Sequence, residues 1–341
     1  MKIQLSSIAI ACLTGLLTFG VTHPLSAQER IGRSDSCVPN ELVLPSGEPY
    51  PNGIAWTSDG TLYVGFVTSG RILRKRPGES WKLFFGGADT VFAANSLRLD
   101  ERHGLLWGTS PDFLPSGQAR SHRVFALNLA TGEISRSLTL PGGGMPNDIF
   151  VTPDGVVYVT DTTSGTILRL RSKDGGFEVV YRDERLASPT GIGAAGIVRT
   201  QDGTLIVNNF GTGKIYALNE GSRKTLQLRE LSLPRLIENP DGMGLAPDGA
   251  LIVLENAIQS GAGKILRIAD PLQPGLRNIE VLREGLESPV NLTITANGCA
   301  FITESRIRHR LLPGHEADTP DRFRILEIPI GFTRFRDRNN P

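Results

Sequence analysis

A pair of short apolar segments joined by an Asp-Gly or Asn-Gly turn recurs along most of the chain. The last four turns lie 48, 46 and 49 residues apart, and the first two are separated by 95 residues, which is two such steps. A diverged copy at His103-Gly104 fills the gap, so the chain contains six units. Such periodicity indicates repeated supersecondary units that share one core. The turn residues are Asp59, Asp154, Asp202, Asp248 and Asn297.

Each unit has the size of one β-propeller blade. Asp and Asn before Gly favour tight hairpin turns, because both tolerate positive backbone φ. Three apolar strands are clear in most units and a fourth is more variable, so a repeat of about 47 residues matches a four-stranded blade. A content of 39 Gly and 22 Pro also favours a turn-rich chain. We predict an all-β fold, a six-bladed β-propeller of four-stranded blades, as a single domain over residues 28–341.

A closed ring is expected because it leaves fewer exposed strand edges than an open array. Closure places the first and last units side by side, and so brings the two ends of the domain together. The sixth unit lacks an outer strand after Ile330, and residues 41–44 can supply it, so the N-terminal strand is predicted to complete the last blade. This arrangement places Cys37 beside the unit that contains Cys299. We therefore predict a Cys37–Cys299 disulfide, with two separate buried thiols as the alternative.

Residues 1–27 have the pattern of a secretory signal peptide. Lys2 precedes an apolar stretch over residues 8–21, and small residues flank a predicted cleavage site after Ala27. An uncleaved anchor is the alternative, although the stretch is short for a membrane span. We expect a secreted or periplasmic protein that has no membrane association after cleavage, in a compartment that permits disulfides.

Charge and composition exclude several classes of function. Lys and Arg number 36 against 35 Asp and Glu, without a long run of one sign, so nucleic acid is not an expected partner. Hydrophobic residues make up 39% of the chain, which suffices for a compact core. We expect a monomer whose partner is a small molecule.

The residues that begin the inner strands are mostly oxygen donors. Inner strands surround the axis of a propeller, so these positions face the mouth of its channel. Calcium takes about six to eight oxygen ligands, whereas zinc prefers His and Cys, which are absent from these positions. We predict a Ca²⁺ site. The alternatives are another divalent cation and a ring of polar side chains that holds only water. The predicted metal ligands are Asn52, Asn95, Asn147 and Asp241, with Asn291 as a further oxygen.

The blades resemble those of the gluconolactonase, regucalcin (senescence-marker protein) and paraoxonase superfamily of six-bladed propellers. Pro240-Asp241-Gly242-Met243 is similar to the aspartate-bearing blade of gluconolactonases, and Pro146-Asn147-Asp148-Ile149 to the asparagine-bearing blade of paraoxonases. The resemblance covers nearly the whole of residues 28–341. It implies that Asp241 and Asn147 bind the metal.

The chain departs from that family pattern at two ligand positions. Asn52 stands where the family has a glutamate, and Ala195 where it has an asparagine. Thr190, in an extra turn before the fourth unit, is a candidate replacement for the second. The paired histidines of paraoxonases have no counterpart, because Ser110-Pro111-Asp112 lies at the matching strand end.

The predicted function is calcium-dependent hydrolysis of a lactone or related ester. A bound cation would polarise the carbonyl, and Asp241 or Asp148 would position or deprotonate the attacking water. A non-catalytic propeller that presents loops to a protein or small ligand is one alternative. Another propeller enzyme, such as a lyase or a strictosidine-synthase-like condensing enzyme, is a second. Asp161 and Glu255, which end second strands, are expected to bond the local backbone.

Overall fold

The computed structural model describes residues 37–331, without residues 115–118, 171–174, 189–190 and 221–224. These residues form six four-stranded antiparallel sheets. The innermost strand of each sheet contacts that of the next, and the sixth contacts the first, so the sheets close into a ring. The prediction of an all-β, six-bladed propeller is therefore confirmed. The predicted signal peptide, residues 1–27, lies outside the described residues.

The strands are short and follow one another with few helical interruptions. In chain order they are β1 (Asn40–Val43), β2 (Pro51–Trp56), β3 (Leu62–Phe66), β4 (Arg71–Lys75), β5 (Lys82–Gly86), β6 (Ser96–Asp100), β7 (Leu105–Ser110), β8 (Arg123–Asn128), β9 (Ile134–Leu138), β10 (Pro146–Val151), β11 (Val157–Asp161) and β12 (Thr166–Leu170). They continue with β13 (Phe177–Arg182), β14 (Ala194–Arg199), β15 (Leu205–Asn209), β16 (Lys214–Glu220), β17 (Leu226–Glu230), β18 (Pro240–Leu245), β19 (Leu251–Glu255), β20 (Gly263–Ile268), β21 (Glu280–Leu286), β22 (Pro289–Ile294), β23 (Cys299–Glu304) and β24 (Arg324–Pro329).

A short helix, α1 (Arg308–Leu311), lies between β23 and β24, near the mouth of the ring. Single 3₁₀ turns occur at Glu101–His103, Pro141–Gly143, Glu184–Leu186 and Glu316–Asp318. Among the described residues, no helix has the length and apolar character needed to cross a membrane.

Five blades use four consecutive strands, and the last is built from both ends of the described chain. Blade one contains β2 to β5, and blades two to five follow in the same order. In blade six, β22, β23 and β24 are joined at the outer edge by β1. The register of this outer pair runs from Asn40 opposite Glu327 to Val43 opposite Arg324.

A disulfide joins Cys37 to Cys299, with Cα atoms 5.4 Å apart. Cys37 precedes β1, and Cys299 is the first residue of β23 in the same blade. The cross-link therefore ties the N-terminal strand to the sheet whose outer edge it covers. The predicted pairing of these two cysteines is confirmed.

The hydrophobic core lies between neighbouring blades. For example, Ile72 of blade one and Phe125 of blade two belong to one buried cluster, whereas Trp107 of blade two packs with Ile149 of blade three. The remaining clusters fill the other interfaces in the same way, including the one between blades six and one. Each blade thus depends on both neighbours for burial of its two faces.

The recurring Asp-Gly turn has a local structural role, as its hairpin chemistry suggests. In blade one the Asp59 carboxylate accepts hydrogen bonds from the Thr57 hydroxyl and the Thr61 amide, and Gly60 adopts a φ of 86°. Asp202 makes the same two kinds of bond in blade four. These carboxylates therefore stabilise the turns of their own hairpins.

Loss of the disulfide should destabilise the ring by about 4 kcal/mol, because the cross-link restricts the unfolded chain over a long loop. Urea unfolding of the Cys37→Ser/Cys299→Ser variant against wild type measures this difference. The two single variants serve as controls and should lose as much as the double. Thiol titration of the unfolded chain without residues 1–27 should detect free thiols only after reduction, and a signal before reduction would exclude the cross-link.

Candidate functional site

The four residues predicted as metal ligands line one pocket at the mouth of the ring. Asn52, Asn95, Asn147 and Asp241 form its polar floor, and the pocket encloses about 60 Å³. They come from blades one, two, three and five, so the folded ring gathers them from positions far apart in sequence. The structure thus brings the predicted set together, whereas its binding of a cation stays a prediction.

A β-bulge at the start of most inner strands presents these side chains to the pocket. The β10–β11 register shifts between Pro146 and Ile149, so Asn147 and Asp148 both lie outside the regular pairing. The same shift occurs at the start of β2, β14, β18 and β22. In a regular strand, neighbouring side chains would point to opposite faces. A bulge interrupts this alternation, so a side chain at the start of the strand can point into the mouth of the channel.

Hydrogen bonds between blades hold the bulges in place. The Thr303 hydroxyl accepts a bond from the Asn291 amide of its own blade at 3.2 Å and donates to the Asn52 carbonyl of blade one at 2.7 Å. Thr160 links Asp148 to the Ala195 carbonyl in the same way. Thr109 and Asn208 donate to the carbonyls of Asn147 and Asp241, respectively. The backbone of the pocket floor is therefore fixed by side chains of the preceding blade.

Several side-chain oxygens on the floor lack a partner. The amide groups of Asn52 and Asn147 make no hydrogen bond within the described part of the chain. Asn95 donates from Nδ2 to the Asn147 carbonyl at 3.1 Å, which leaves its Oδ1 unused among these residues. Polar groups in a buried site are normally satisfied by protein, water or a ligand. The floor is therefore suited to a polar or cationic guest.

Two further oxygens of the pocket were not found from the sequence. Asn256 and Thr162 line it with 2% and 1% of their surfaces exposed, and neither Asn256 Oδ1 nor Thr162 Oγ1 has a hydrogen-bond partner. Leaving such a buried atom unpaired costs about 1–3 kcal/mol. Each residue directly follows a second strand, one after Glu255 and one after Asp161. The residue at this position differs from blade to blade, so the sequence pattern gave no signal for it.

Asp241 carries the only carboxylate among the described residues that line the pocket. Its Oδ2 accepts a hydrogen bond from Asn256 Nδ2 at 2.9 Å. Burial raises the pKa of Asp241 from 3.8 to about 7, the nearby Asp148 charge also raises it, and the Asn256 bond acts in the opposite direction. Asp241 is half-buried and lines the pocket. A bound cation would supply the missing countercharge and lower this pKa.

The second predicted catalytic residue, Asp148, is buried and does not line the pocket. Its carboxylate accepts hydrogen bonds from the Ser96 hydroxyl at 2.5 Å, from Arg98 at 3.2 Å and from the Ile197 amide at 3.1 Å. Arg98 extends further to Asn291 Oδ1 at 2.9 Å. The Arg98–Asp148 pair therefore links blades two, three and six across the channel. It neutralises a buried charge next to the floor.

The remaining predictions for oxygen donors have mixed outcomes. Asn291 Oδ1 is engaged by Arg98, and its Nδ2 donates to the Asn95 carbonyl at 3.4 Å, so this side chain does not line the pocket. Ala195 is fully buried and offers no side-chain oxygen. Thr190, the candidate replacement, lies outside the described residues. The fourth blade thus contributes no oxygen to the described floor.

The structural roles expected for Asp161 and Glu255 are confirmed. Asp161 accepts a hydrogen bond from the Met145 amide at 3.0 Å, and Glu255 accepts one from the Glu238 amide at 2.8 Å. Arg235 also pairs with Glu255, through hydrogen bonds from both terminal nitrogens of its guanidinium. These carboxylates anchor the loops that precede β10 and β18, and so position the floor indirectly.

The chemistry of the donor set fits a hard cation. One carboxylate and four carboxamides, from Asp241 and four asparagines, supply oxygen ligands of the kind that Ca²⁺ prefers. Among the described residues, the only group of three His, Cys, Asp or Glu side chains close enough to share an ion is Cys37, Cys299 and Glu327, and its cysteines form the disulfide. Zinc, which prefers nitrogen and sulfur ligands, does not match the pocket.

The walls of the pocket are apolar. Above the floor they consist of Phe113, Met145, Ile192, Phe210, Ile258 and Leu311, together with neighbouring Pro and aliphatic residues. The segment that carries Phe113 is fastened by Asp112, which accepts hydrogen bonds from the Arg120 backbone and guanidinium. The Arg120 guanidinium lies 3.8 Å from the centre of the Phe92 ring. The pocket therefore combines a polar floor with walls that offer no charge.

No protein-family model and no curated protein matches the chain. Solved structures resemble it. A gluconolactonase from Xanthomonas campestris has a TM-score of 0.60 at 17% identity, over 85% of this chain and 90% of that one. A luciferin-regenerating enzyme has a TM-score of 0.62 at 12% identity, over 86% and 96%. An inactive virginiamycin B lyase variant from Staphylococcus aureus, solved with quinupristin, has a TM-score of 0.56 at 18% identity, over 78% and 82%.

At these identities the likeness concerns the fold. The chain has the architecture of the gluconolactonase-like propellers, as its repeat sequence predicts. The same architecture occurs in a lyase, so it does not define the reaction.

The raised pKa of Asp241 should appear in the pH dependence of stability. Between pH 3.8 and about 7 the folded state holds this proton more tightly than the unfolded state, so the free energy of unfolding falls as the pH rises through that range. Without divalent cations at pH 8, Asp241→Asn should therefore be more stable than wild type by roughly 2–4 kcal/mol. The difference should vanish near pH 4.

Urea unfolding in a chelating buffer at both pH values measures this effect. Asp59→Asn is a suitable control, because hydrogen bonds from the Thr57 side chain and from Thr61 lower the pKa of Asp59, and loss of its charge should not stabilise the protein at pH 8. An Asp241→Asn variant that gains no stability at pH 8 would show that this carboxylate is not destabilised by burial.

Proposed function

We propose that the protein is a secreted or periplasmic calcium-dependent hydrolase of a lactone or related ester. The observation that carries the proposal is that carboxamide oxygens without a partner among the described residues line the same pocket as the half-buried carboxylate of Asp241, below apolar walls. The Cys37–Cys299 disulfide supports an exported protein, because such bonds persist in oxidising compartments.

In this proposal Asn52, Asn95, Asn147 and Asp241 hold the cation. When bound, Ca²⁺ supplies a Lewis acid that stabilises negative charge on the oxygen of the attacked carbonyl. The side-chain amide nitrogens of Asn52 and Asn147 have no partner in the described part of the chain, so they can donate hydrogen bonds to water or substrate oxygen beside the cation. Asp241 contributes its negative charge and can position an attacking water through a carboxylate oxygen.

Asp148 has a positioning role in the proposal and no contact with substrate. It holds Arg98 and the start of β14, and its charge raises the pKa of Asp241. The sequence-based assignment of Asp148 as the base is less well supported than that of Asp241, because Asp148 is fully engaged within the protein.

The walls favour a substrate with an uncharged, apolar body. Phe113, Phe210 and Ile258 present hydrocarbon surface. The polar lining consists of the floor residues together with Thr162 and Asn256. A polyhydroxylated sugar lactone would leave its hydroxyl groups without partners along these walls, which costs binding energy. An aliphatic or aromatic lactone or ester would gain from burial of its apolar surface.

A non-catalytic binding propeller remains the second candidate function. The specific observation in its favour is the reduced donor set, with Asn52 in place of a family glutamate and no oxygen from Ala195. A pocket of this kind would bind a small molecule without turning it over. Turnover under calcium control distinguishes the two candidates.

Hydrolysis should require calcium and Asp241. Purified protein assayed with a panel of lactones and aryl esters should be active with added Ca²⁺ and inactive in a chelator, and Asp241→Asn should lower kcat/KM by at least about 100-fold. Asp202→Asn, in a hairpin turn outside the pocket, should retain wild-type rates. Binding of a panel member without turnover at any calcium concentration would favour the binding propeller.

Substrate preference should follow the apolar walls. An aliphatic or aromatic lactone should have a kcat/KM higher than that of gluconolactone, and Phe210→Ala should raise KM about tenfold with a smaller effect on kcat, because the lost contact is present before and during reaction. Steady-state kinetics on both substrates measure this. Leu236→Ala, an exposed apolar residue outside the pocket, is the matched control. A preference for the sugar lactone would refute the apolar substrate class.

A further inference from the structure

Asn256 carries the most deeply buried carboxamide oxygen of the pocket that has no partner among the described residues. Only 2% of its surface is exposed, and its Oδ1 has no hydrogen-bond partner. Its backbone amide donates to the Asn239 carbonyl at 3.1 Å, so the chain is anchored at this point. The oxygen is therefore presented by a fixed backbone and not by a mobile loop.

The orientation of the Asn256 amide is set by its neighbour. Nδ2 donates to Asp241 Oδ2 at 2.9 Å, whereas the flipped amide would place Oδ1 against a carboxylate oxygen. Two acceptors in contact repel, so the hydrogen-bond network selects the orientation that leaves Oδ1 free. Asn256 Oδ1 is thus free, and its own amide group is in contact with the Asp241 carboxylate. One cation could therefore bind both residues.

The structural position of Asn256 recurs in other blades, which allows a comparison within the molecule. Thr162 and Ser305 likewise follow a second strand directly, and both have a buried hydroxyl oxygen without a partner. Thr162 lines the pocket, whereas Ser305 does not. Ser305 is therefore an internal control for an orphaned oxygen at the same position but outside the site.

We infer that Asn256 is a direct ligand of the cation, through Oδ1. The inference rests on the proposed function, since it names a further residue of the same site. It increases the number of proposed side-chain ligands from four, in the predicted set of Asn52, Asn95, Asn147 and Asp241, to five. Calcium sites use about six to eight oxygens, part of them from water, so the enlarged set is a more complete one.

Calcium titration by calorimetry at pH 8 tests the inference without any assay of activity. Asn256→Ala should weaken binding by about tenfold or more, because it removes a ligand. Asn256→Asp should bind calcium more tightly than wild type, because it keeps an oxygen and adds a negative charge next to the ion. Ser305→Ala should bind as wild type does. Circular dichroism confirms that each variant is folded.

The two Asn256 variants separate a ligand from a residue that only orients Asp241. If Asn256 acts solely through its hydrogen bond to Asp241, both variants weaken binding, since Asn256→Asp replaces a donor with a like charge. That result, or an Asn256→Ala variant with wild-type affinity, overturns the inference. If the two Asn256 variants change the affinity as expected but the wild type hydrolyses no substrate, the inference is supported and the hydrolase is refuted. Absence of calcium binding in the wild type refutes the inference and the metal dependence together.

Discussion

Closure of the ring is the constraint on which the rest of the structure depends. Each blade buries its faces against its neighbours, so a blade without a partner on one side would expose a hydrophobic surface. Blades six and one pack through one buried cluster and through their inner strands. Blade six is itself completed at its outer edge by β1, which pairs with β24 and is held by the Cys37–Cys299 bond. The pocket exists because closure brings Asn52 of blade one around to the same mouth as Asp241 of blade five.

Hydrogen bonds between neighbouring blades fix the backbone positions of the pocket floor. Thr303 donates to the Asn52 carbonyl, and Thr160 to that of Ala195, so the backbone bulges are held from the neighbouring blade. Close approach is possible partly because Gly196 lacks a side chain: a Cβ there would lie 2.3 Å from the Asp241 carbonyl oxygen. The side chains on the floor can then remain unpaired, because the backbone beneath them is fully engaged.

The sequence was sufficient for the fold and for part of the site. The hairpin turns recur with a constant chemistry, so the six blades and the inner-strand starts at Asn52, Asn95, Asn147 and Asp241 could be located by spacing. Asn256 could not, because the residue after the second strand changes from blade to blade and carries no period. The engagement of Asp148 by Ser96 and Arg98 was also hidden, since it joins segments about 50 residues apart in different blades.

Charge balance under the floor bears on how such a pocket would work. Arg98 would oppose a cation in the neighbouring pocket, but Asp148 neutralises it at 3.1 Å. Asp241 is then the one uncompensated carboxylate of the pocket lining, surrounded by neutral carboxamides and hydrocarbon. A divalent cation held there would keep a net positive charge in a low-dielectric site, where it attracts a developing oxyanion strongly. Low ligand charge also lowers affinity, which suits the millimolar range of calcium sites in extracellular modules. A neutral Asn52 would thus lower the affinity for the cation but leave the bound cation with more positive charge to polarise a carbonyl. The lower affinity is compatible with a protein that is proposed to work outside the cytoplasm.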